Sequence, residues 1–224
     1  MGADRDEEPF ESIYARAGSD LDSIPWADLA PNPSLLSWLG SHPGGEGASD
    51  SGRGERGLGP GASGAPALVV ACGLGDDAEE LAARGYAVTA FDVSPTAIEK
   101  CHDRFPASTV NYLVADVFAL PKAWMESYAL VVEIRTLQSL PLDRREQAVK
   151  AIAATVAPGG EVFVRTAIRE PYEPLTSRPW PLIRGELNAF IEAGLTEREA
   201  RVDPPGASRF QMFTAVYQRP SGTT

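Results

Sequence analysis

Between residues 67 and 166 short apolar runs alternate with amphipathic stretches, which predicts strand, helix and strand in turn. Residues 67–71 form a compact apolar run, 77–84 carry their apolar positions at helical spacing, and 87–91 are rich in β-formers. The series continues with a helix over 95–104, strands over 111–115 and 129–134, a helix over 144–156 and a strand over 161–166. Gly159 and Gly160 mark the turn before that last strand. Strands separated by helices imply a parallel sheet covered on both faces. The end of the chain differs. A helix over 184–193 ends at Gly194, and two strands, 196–202 and 210–218, are joined by DPPGAS. That connection is too short for a helical crossover, so the two strands pair antiparallel. The expected fold class is α/β, a doubly wound, mostly parallel seven-stranded sheet with an antiparallel terminal hairpin.

Ahead of this pattern, residues 1–42 hold an amphipathic stretch at 10–17 and the segment PWADLAPNPSLLSWL, whose Leu35, Leu36, Trp38 and Leu39 suit a short helix with one buried stripe. Together they predict an N-terminal helical lid or an extra layer on the fold. Residues 43–66 are Gly, Ser and Pro almost throughout and read as a flexible linker, too poor in apolar surface to order itself. The main domain then spans 67–220, and 224 residues suit one such domain with appendages. No apolar run approaches the roughly 20 residues a membrane helix needs, and MGADRDEEPF lacks the basic start and apolar centre of a signal peptide. A cytoplasmic protein with no membrane partner is expected. Gly2 is followed by Asp6 where a myristoylation signal requires Ser or Thr. Two cysteines, Cys72 and Cys101, form no metal-like cluster, and no metal is expected. The net charge of −11 argues against a nucleic-acid partner, whose phosphates demand a basic face.

Candidate chemistry enters at the first strand-to-helix turn, Val69-Val70-Ala71-Cys72-Gly73-Leu74-Gly75-Asp76-Asp77-Ala78. Gly73 and Gly75 let the backbone pass close under a ligand, and Asp92, 19 positions after Gly73, ends the second strand, where a carboxylate can accept both hydroxyls of a ribose. The spacing also fits the dinucleotide pattern Gly-x-Gly-x-x-Gly/Ala. Charge separates the two cofactor classes. Asp76 and Asp77 in the first helical turn would repel a pyrophosphate, whereas S-adenosylmethionine has no phosphate and carries an ammonium and a sulfonium. The acidic loop and the antiparallel hairpin favour S-adenosylmethionine, with S-adenosylhomocysteine as product. Asp116 closes the third strand as a candidate for the adenine amino group, with Val117 against the ring; its alternative role is a helix or turn cap. Glu133 ends the fourth strand at the ligand-binding edge, with partnership to Arg135 or Arg165 as its alternative.

These residues resemble the class I methyltransferase family over roughly residues 11–219: the glycine loop, the acid at Asp92, FDVSPTAIE, the Asp116 turn and VAPGGEVFV fall in the family's order. Within it the chain is most similar to the thiopurine and thiol methyltransferase branch, which includes tellurite-resistance-like members. Pro25-Trp26, Pro33-Ser34-Leu35-Leu36 and VVEIRTLQSLP carry that likeness. The resemblance implies that Trp26 covers the cofactor and that the first helices roof the acceptor pocket. The cofactor-contact candidates are therefore Trp26, Cys72, Gly73, Gly75, Asp92, Val93, Asp116, Val117 and Glu133. The glycine-rich insertion at 43–66 and the absence of the usual third glycine depart from the family pattern.

Methyl transfer from a sulfonium is an in-line displacement that needs alignment more than acid–base machinery, so the sequence points to a small-molecule acceptor that is a thiol or other soft nucleophile. His42, beside the linker, and His102, on an outer helix, read as surface residues, and Glu133 and Tyr14 are the candidate bases if the acceptor needs one. Trp26, Arg135, Arg165, Arg169 and Trp180 are acceptor-binding candidates, the arginines as clamps for a carboxylate or as ordinary solvated cations. O- or N-methylation of a small metabolite is the alternative within the class. A noncatalytic methyltransferase-like partner subunit and an NAD(P)-dependent oxidoreductase are the alternatives outside it. A monomer or homodimer is expected.

Overall fold

The computed structural model describes residues 8–42, 63–175, 178–204 and 210–222. Two helices come first, α1 (Glu8–Ala17) and α2 (Pro33–Ser41). Then β1 (Pro66–Val70), α3 (Asp76–Ala83), β2 (Ala87–Asp92), α4 (Pro95–Arg104), β3 (Asn111–Val114) and β4 (Tyr128–Ile134) follow in order. The chain ends with α5 (Arg145–Thr155), β5 (Val156–Arg169), β6 (Leu182–Ile183), α6 (Asn188–Glu192), β7 (Thr196–Val202) and β8 (Gln211–Gln218). Local chemistry sets the boundaries. Pro33 and Pro95 open their helices, and Asn32 and Ser94 accept hydrogen bonds from the N–H groups of Ser34 and Ala97 at 3.0 Å. Gly194, at φ 88°, terminates the helix before β7.

The strands run in the order β3-β2-β1-β4-β5-β8-β7, with β6 paired to β5 off that path. β1 to β5 are parallel, and β8 is antiparallel to both β5 and β7. This is the doubly wound, Rossmann-like architecture the alternation predicts. Successive side chains of β1 show why both faces are covered: Ala67 and Val69 join a core with Leu81, Ile98, Leu35 and Trp38, while Leu68 and Val70 join one with Val149, Ile152 and Phe190. Strand order reverses between β1 and β4, and ligands of such sheets bind outside the carboxyl ends of the strands at that point. Among the described residues no helix is long and apolar enough to cross a membrane.

Four expectations need correction. The linker does not reach residue 66: the Gly64 N–H donates to the Gly85 carbonyl at 2.7 Å, the Ala65 carbonyl accepts from Ala87 at 2.9 Å, and Pro66 opens β1. Residues 43–62 of the linker lie outside the described residues. Gly159 and Gly160 form no turn, because the chain leaves α5 directly into β5 and the register passes from Tyr128↔Val156 to Leu130↔Glu161. They are a bulge within one long strand. The helix over 184–193 is divided, a 3-10 turn over Arg184–Leu187 preceding α6. The two-residue β6 adds an eighth strand that no periodicity announced.

At the bulge a Cβ on Gly160 would lie 2.7 Å from the Tyr128 carbonyl oxygen and 2.9 Å from that of Ala157. Backbone cannot yield as a side-chain tip can. Gly160→Ala should cost about 1–3 kcal/mol in urea denaturation, and an unchanged midpoint would show that the bulge is free to open.

Candidate functional site

The turn after β1 is held from below by a single carboxylate. Asp92 Oδ2 accepts the Gly73 N–H at 3.0 Å and Oδ1 accepts the Ser94 N–H at 2.9 Å, so the end of β2 ties together the glycine loop and the start of α4. Asp92 is buried, and burial pushes its pKa up against the N–H groups of Ser94, Gly73 and Val93, which lower it. Gly75 caps α3 at φ 88°, and a Cβ there would lie 2.5 Å from the Tyr112 hydroxyl. Only glycine meets both demands. Tyr112 is itself fixed by donating to Glu79 Oε1 at 2.7 Å. Cys72 adjoins this loop half-buried, and its thiol pKa is raised by hydrogen bonding to Cys101 and by burial.

The acidic first turn of α3 is less repulsive than its sequence implies. Asp76 receives both terminal nitrogens of Arg104, at 2.9 and 2.7 Å. Asp77 accepts the Asn32 N–H at 2.7 Å, and its pKa is pushed up to about 6, chiefly by burial and further by Asp76 and Asp28, against Asn32 and Arg135. What charge opposes a phosphate there rests on Asp77.

α1 lies directly over the loop. Its Glu11 accepts from the Ser94 hydroxyl at 2.5 Å and from the Thr96 N–H at 3.3 Å. Tyr14 is buried with its hydroxyl 3.1 Å from where a Gly73 Cβ would stand, and that hydroxyl accepts the Trp26 indole N–H at 2.8 Å. Burial and the Asp92 charge raise its phenol far above the ordinary value. Trp26 meets Phe10 and Tyr14 edge to face at 5.7 and 5.6 Å. The Arg178 guanidinium sits 5.3 Å from the Phe10 ring and 4.8 Å from Trp180, joining the lid to the loop after β5.

Along the carboxyl edge, Asp116 Oδ1 accepts the Phe118 N–H at 2.9 Å and caps the short turn Val117–Ala119, with Val117 buried. Val93 is half-buried beside Asp92. Glu133 is fully buried between Val70 of β1 and Val164 of β5. Its Oε1 accepts the N–H groups of Thr136 at 2.7 Å and Leu137 at 3.0 Å, while Oε2 has no partner among the described residues. Burial pushes its pKa up to about 7 against those two donors.

The arginines are engaged by the chain itself. Arg135 pairs with Asp28 at 2.9 Å, and Arg165 donates to Asp203 at 2.6 Å and to Thr214 at 2.8 Å. Arg169 donates to the carbonyls of Pro181, Glu170, Pro171 and Glu173 and shapes a cavity of about 520 Å³ at the end of β5. Ile168, Pro181, Phe210 and Gln211 also line that cavity. The Trp180 backbone is held by Gln138 and by the buried Arg145. His42 pairs with Glu199 at 2.9 Å and stacks on Trp38, and His102 is exposed on α4 with its ring edge toward Tyr112, so neither takes a place on the glycine loop.

The structure thus brings Tyr14, Trp26, Gly73, Gly75 and Asp92 into one cluster. It sets Asp116 and Glu133 along the same edge on either side, and it places Arg165 and Arg169 in contacts of their own. Sequence reasoning missed Glu11, Tyr112, Gln138 and Arg178. Each acts across more than 25 positions, and no local pattern marks such a partner.

Residues 67–160 match the family model for a methyltransferase domain. The chain is similar to the ubiquinone biosynthesis O-methyltransferase of Azotobacter vinelandii, with 32% identity over 111 residues, covering 49% of this chain and 47% of that one. The chain therefore spans about half the length of the curated relatives it matches. Among solved structures it is similar to that of "Conversion of a Disulfide Bond into a Thioacetal Group during Echinomycin Biosynthesis", with a TM-score of 0.71, 21% identity and coverage of 97% and 93%. It is also similar to the Burkholderia thailandensis 1,6-didemethyltoxoflavin-N1-methyltransferase, solved with S-adenosylhomocysteine bound, with a TM-score of 0.68, 16% identity and coverage of 96% and 87%. Both support the fold.

Asp77 allows a check on the electrostatics of the loop. Its folded pKa of about 6 lies above the ordinary 3.8, so the folded chain holds this proton more tightly than the unfolded one. The corresponding stability is present at low pH and is lost as pH climbs from about 4 through 6. Asp77→Asn keeps an oxygen for the Asn32 N–H and removes the charge. Thermal and urea melts should show it more stable than wild type by about 1–2 kcal/mol at pH 8, the gap closing near pH 4. A less stable variant at pH 8 would mean that the ionised group is held favourably.

Proposed function

We propose that this chain is an S-adenosylmethionine-dependent methyltransferase acting on a small-molecule acceptor, and that the acceptor is a thiol or another soft nucleophile. One observation carries the reading. Strand order places Asp116, Asp92, the glycine loop and Glu133 in a row across β3, β2, β1 and β4, at the carboxyl edge and up to the point where the sheet reverses. The row offers acceptors for the adenine amino group, the ribose hydroxyls and the cationic amino-acid end of one extended ligand. A dinucleotide fits less well, since a pyrophosphate at the glycine loop would meet Asp77, and the nearby Arg104 is already committed to Asp76. The methyltransferase-domain match over 67–160 supports the same cofactor.

The residues present fit that cofactor: Asp92 and Asp116 each keep carboxylate lone pairs beyond the N–H groups they accept. Bound here, S-adenosylmethionine supplies a methyl group on a positively charged sulfur. The chain's part is to align and to exclude water. α1 and Trp26 lie over the loop, with the Tyr14 hydroxyl joining the Trp26 indole to it. Holding two reactants in line can contribute about 7–11 kcal/mol without a proton transfer.

The soft-nucleophile class rests on three supports. Both histidines are engaged or exposed away from the glycine loop, the Tyr14 phenol is driven up rather than down, and the branch resemblance points to thiols. The sulfur chemistry in the description of the echinomycin protein agrees with this. O-methylation is the second reading, favoured by the name of the Azotobacter relative and by a Glu133 carboxyl that titrates near neutrality.

Calorimetry with S-adenosylhomocysteine and with NADH, followed by an acceptor screen read as S-adenosylhomocysteine release, tests the proposal. Binding of the first ligand alone is expected. Small thiols should turn over at least about tenfold faster than phenols, because a thiol of pKa about 8.5 is a few per cent ionised near neutrality and a phenol near 10 about a thousandth. The rate should rise with pH along the thiol's own titration and level off above it. Turnover of phenols alone, lost in Glu133→Gln with cofactor affinity intact, would establish the O-methyl reading. Binding of NADH alone would remove the methyltransferase reading.

A further inference from the structure

We propose that the cavity between Trp38 and the strands β7 and β8 is a binding site for a small carboxylate, about two to four carbons long. The site shares no lining residue with the glycine loop, Asp92 or Asp116, so it stands independently of the methyltransferase reading.

Register sets the walls. Across β5, β8 and β7, Phe163, Val216 and Glu199 stand side by side in one row, and Arg165, Thr214 and Arg201 form the next row on the same face. α2 covers the first row: the Trp38 ring meets that of Phe163 at 5.4 Å and shares a core with Val216. Trp38, Val216, Thr214, Glu199 and Arg201 line a cavity of about 120 Å³. At about 30 Å³ per water, that is room for roughly four waters or for a molecule of about four to six heavy atoms.

The polar groups here are donors in excess. Trp38 is 5% exposed, and its indole Nε1 is buried with no partner among the described residues. An N–H buried without an acceptor is costly, and a ligand that carries one relieves it. In the second row two guanidiniums share one carboxylate: Arg165 donates to Asp203 at 2.6 Å, and Arg201 stands 3.8 Å from the same aspartate. Arg165 also donates to the Thr214 hydroxyl at 2.8 Å, which leaves the proton of that hydroxyl for another acceptor. The Arg165 Nε is buried with no partner among the described residues. Glu199, in the first row, is 2.9 Å from His42 Nε2. Around Thr214 two cations thus face one anion. A carboxylate supplies the second negative charge and acceptors for the donors, while its alkyl tail meets Val216 and the Trp38 ring. A sulfate or phosphate would set charge against those apolar walls and near Glu199.

The experiment is a titration of the isotopically labelled full chain with propionate, followed by magnetic resonance on the indole N–H signals of its four tryptophans. The Trp38 signal is assigned by its loss in Trp38→Phe or, should that variant not fold, by its contacts to the Phe163 ring. Propionate should move the Trp38 signal along a saturating curve with a dissociation constant on the order of 1 mM, as about five heavy atoms allow. The signal of Trp124, which packs in the core on the opposite face, should move no more than it does in sodium chloride of equal ionic strength. Propionamide, the neutral isostere, should bind at least about tenfold more weakly than propionate. Arg201→Gln, at a half-exposed position, should weaken propionate about fivefold with the melting temperature unchanged. A Trp38 signal that does not move, or moves without saturating up to about 50 mM, overturns the proposal. So does propionamide that binds as tightly as propionate, or an Arg201→Gln chain that binds propionate as wild type does. Sulfate that binds more tightly than propionate overturns the carboxylate assignment.

Discussion

The site depends on one carboxylate gripping two turns. Asp92 takes a backbone N–H from the glycine loop and another from the residue that caps α4, so β1, β2 and α4 meet at its two oxygens. A buried carboxylate needs such donors, and the loop needs an acceptor for N–H groups that no strand or helix satisfies. The same Ser94 passes the connection to the lid through Glu11. Removing one charge would therefore loosen a loop, a helix start and a roof together.

Around that grip the molecule uses its cations for itself. The chain carries 20 basic against 31 acidic residues, and the arginines nearest the sheet edge are joined to Asp28, Asp76, Asp203 and Glu186. Arg145 is buried and reaches Glu186, Leu140 and the Trp180 carbonyl, which holds the loop after β5 onto the helical face. Such pairs cost desolvation and give back geometry. Their effect here is an edge whose cations are already paired with the chain's own acids, which suits a cationic ligand better than a phosphate.

α1 is held by contacts of a different kind from those of the sheet. α1 adds no strand and shares no ladder; it rests on aromatic edges around Trp26, the Glu11 hydrogen bonds and the stack of Arg178 on Phe10. These contacts involve few residues and link the roof to both the glycine loop and the loop after β5. The geometry of the roof is thereby coupled to both ends of the site.

The sequence by itself determined the elements and their order. Apolar runs of strand length, Pro33 and Pro95 behind their caps, and Gly194 at a helix end are local signals, and each acts over a few residues of chain. It also brought out Gly73, Gly75 and Asp92, because a tight turn and a strand end have fixed spacing. It misjudged Gly159 and Gly160, since a bulge and a turn ask the same flexibility of glycine and only the partner strand tells them apart. Tertiary structure alone decided which charge meets which. Asp76 with Arg104, Arg135 with Asp28 and Arg165 with Asp203 lie 28, 107 and 38 positions apart, and nothing in the periodicity of either segment names the other. The same holds for Glu133, whose pKa is raised by burial where β4 is flanked by Val70 of β1 and Val164 of β5. Burial is a property of the assembled sheet, so this acid is weakened only once the strands have paired.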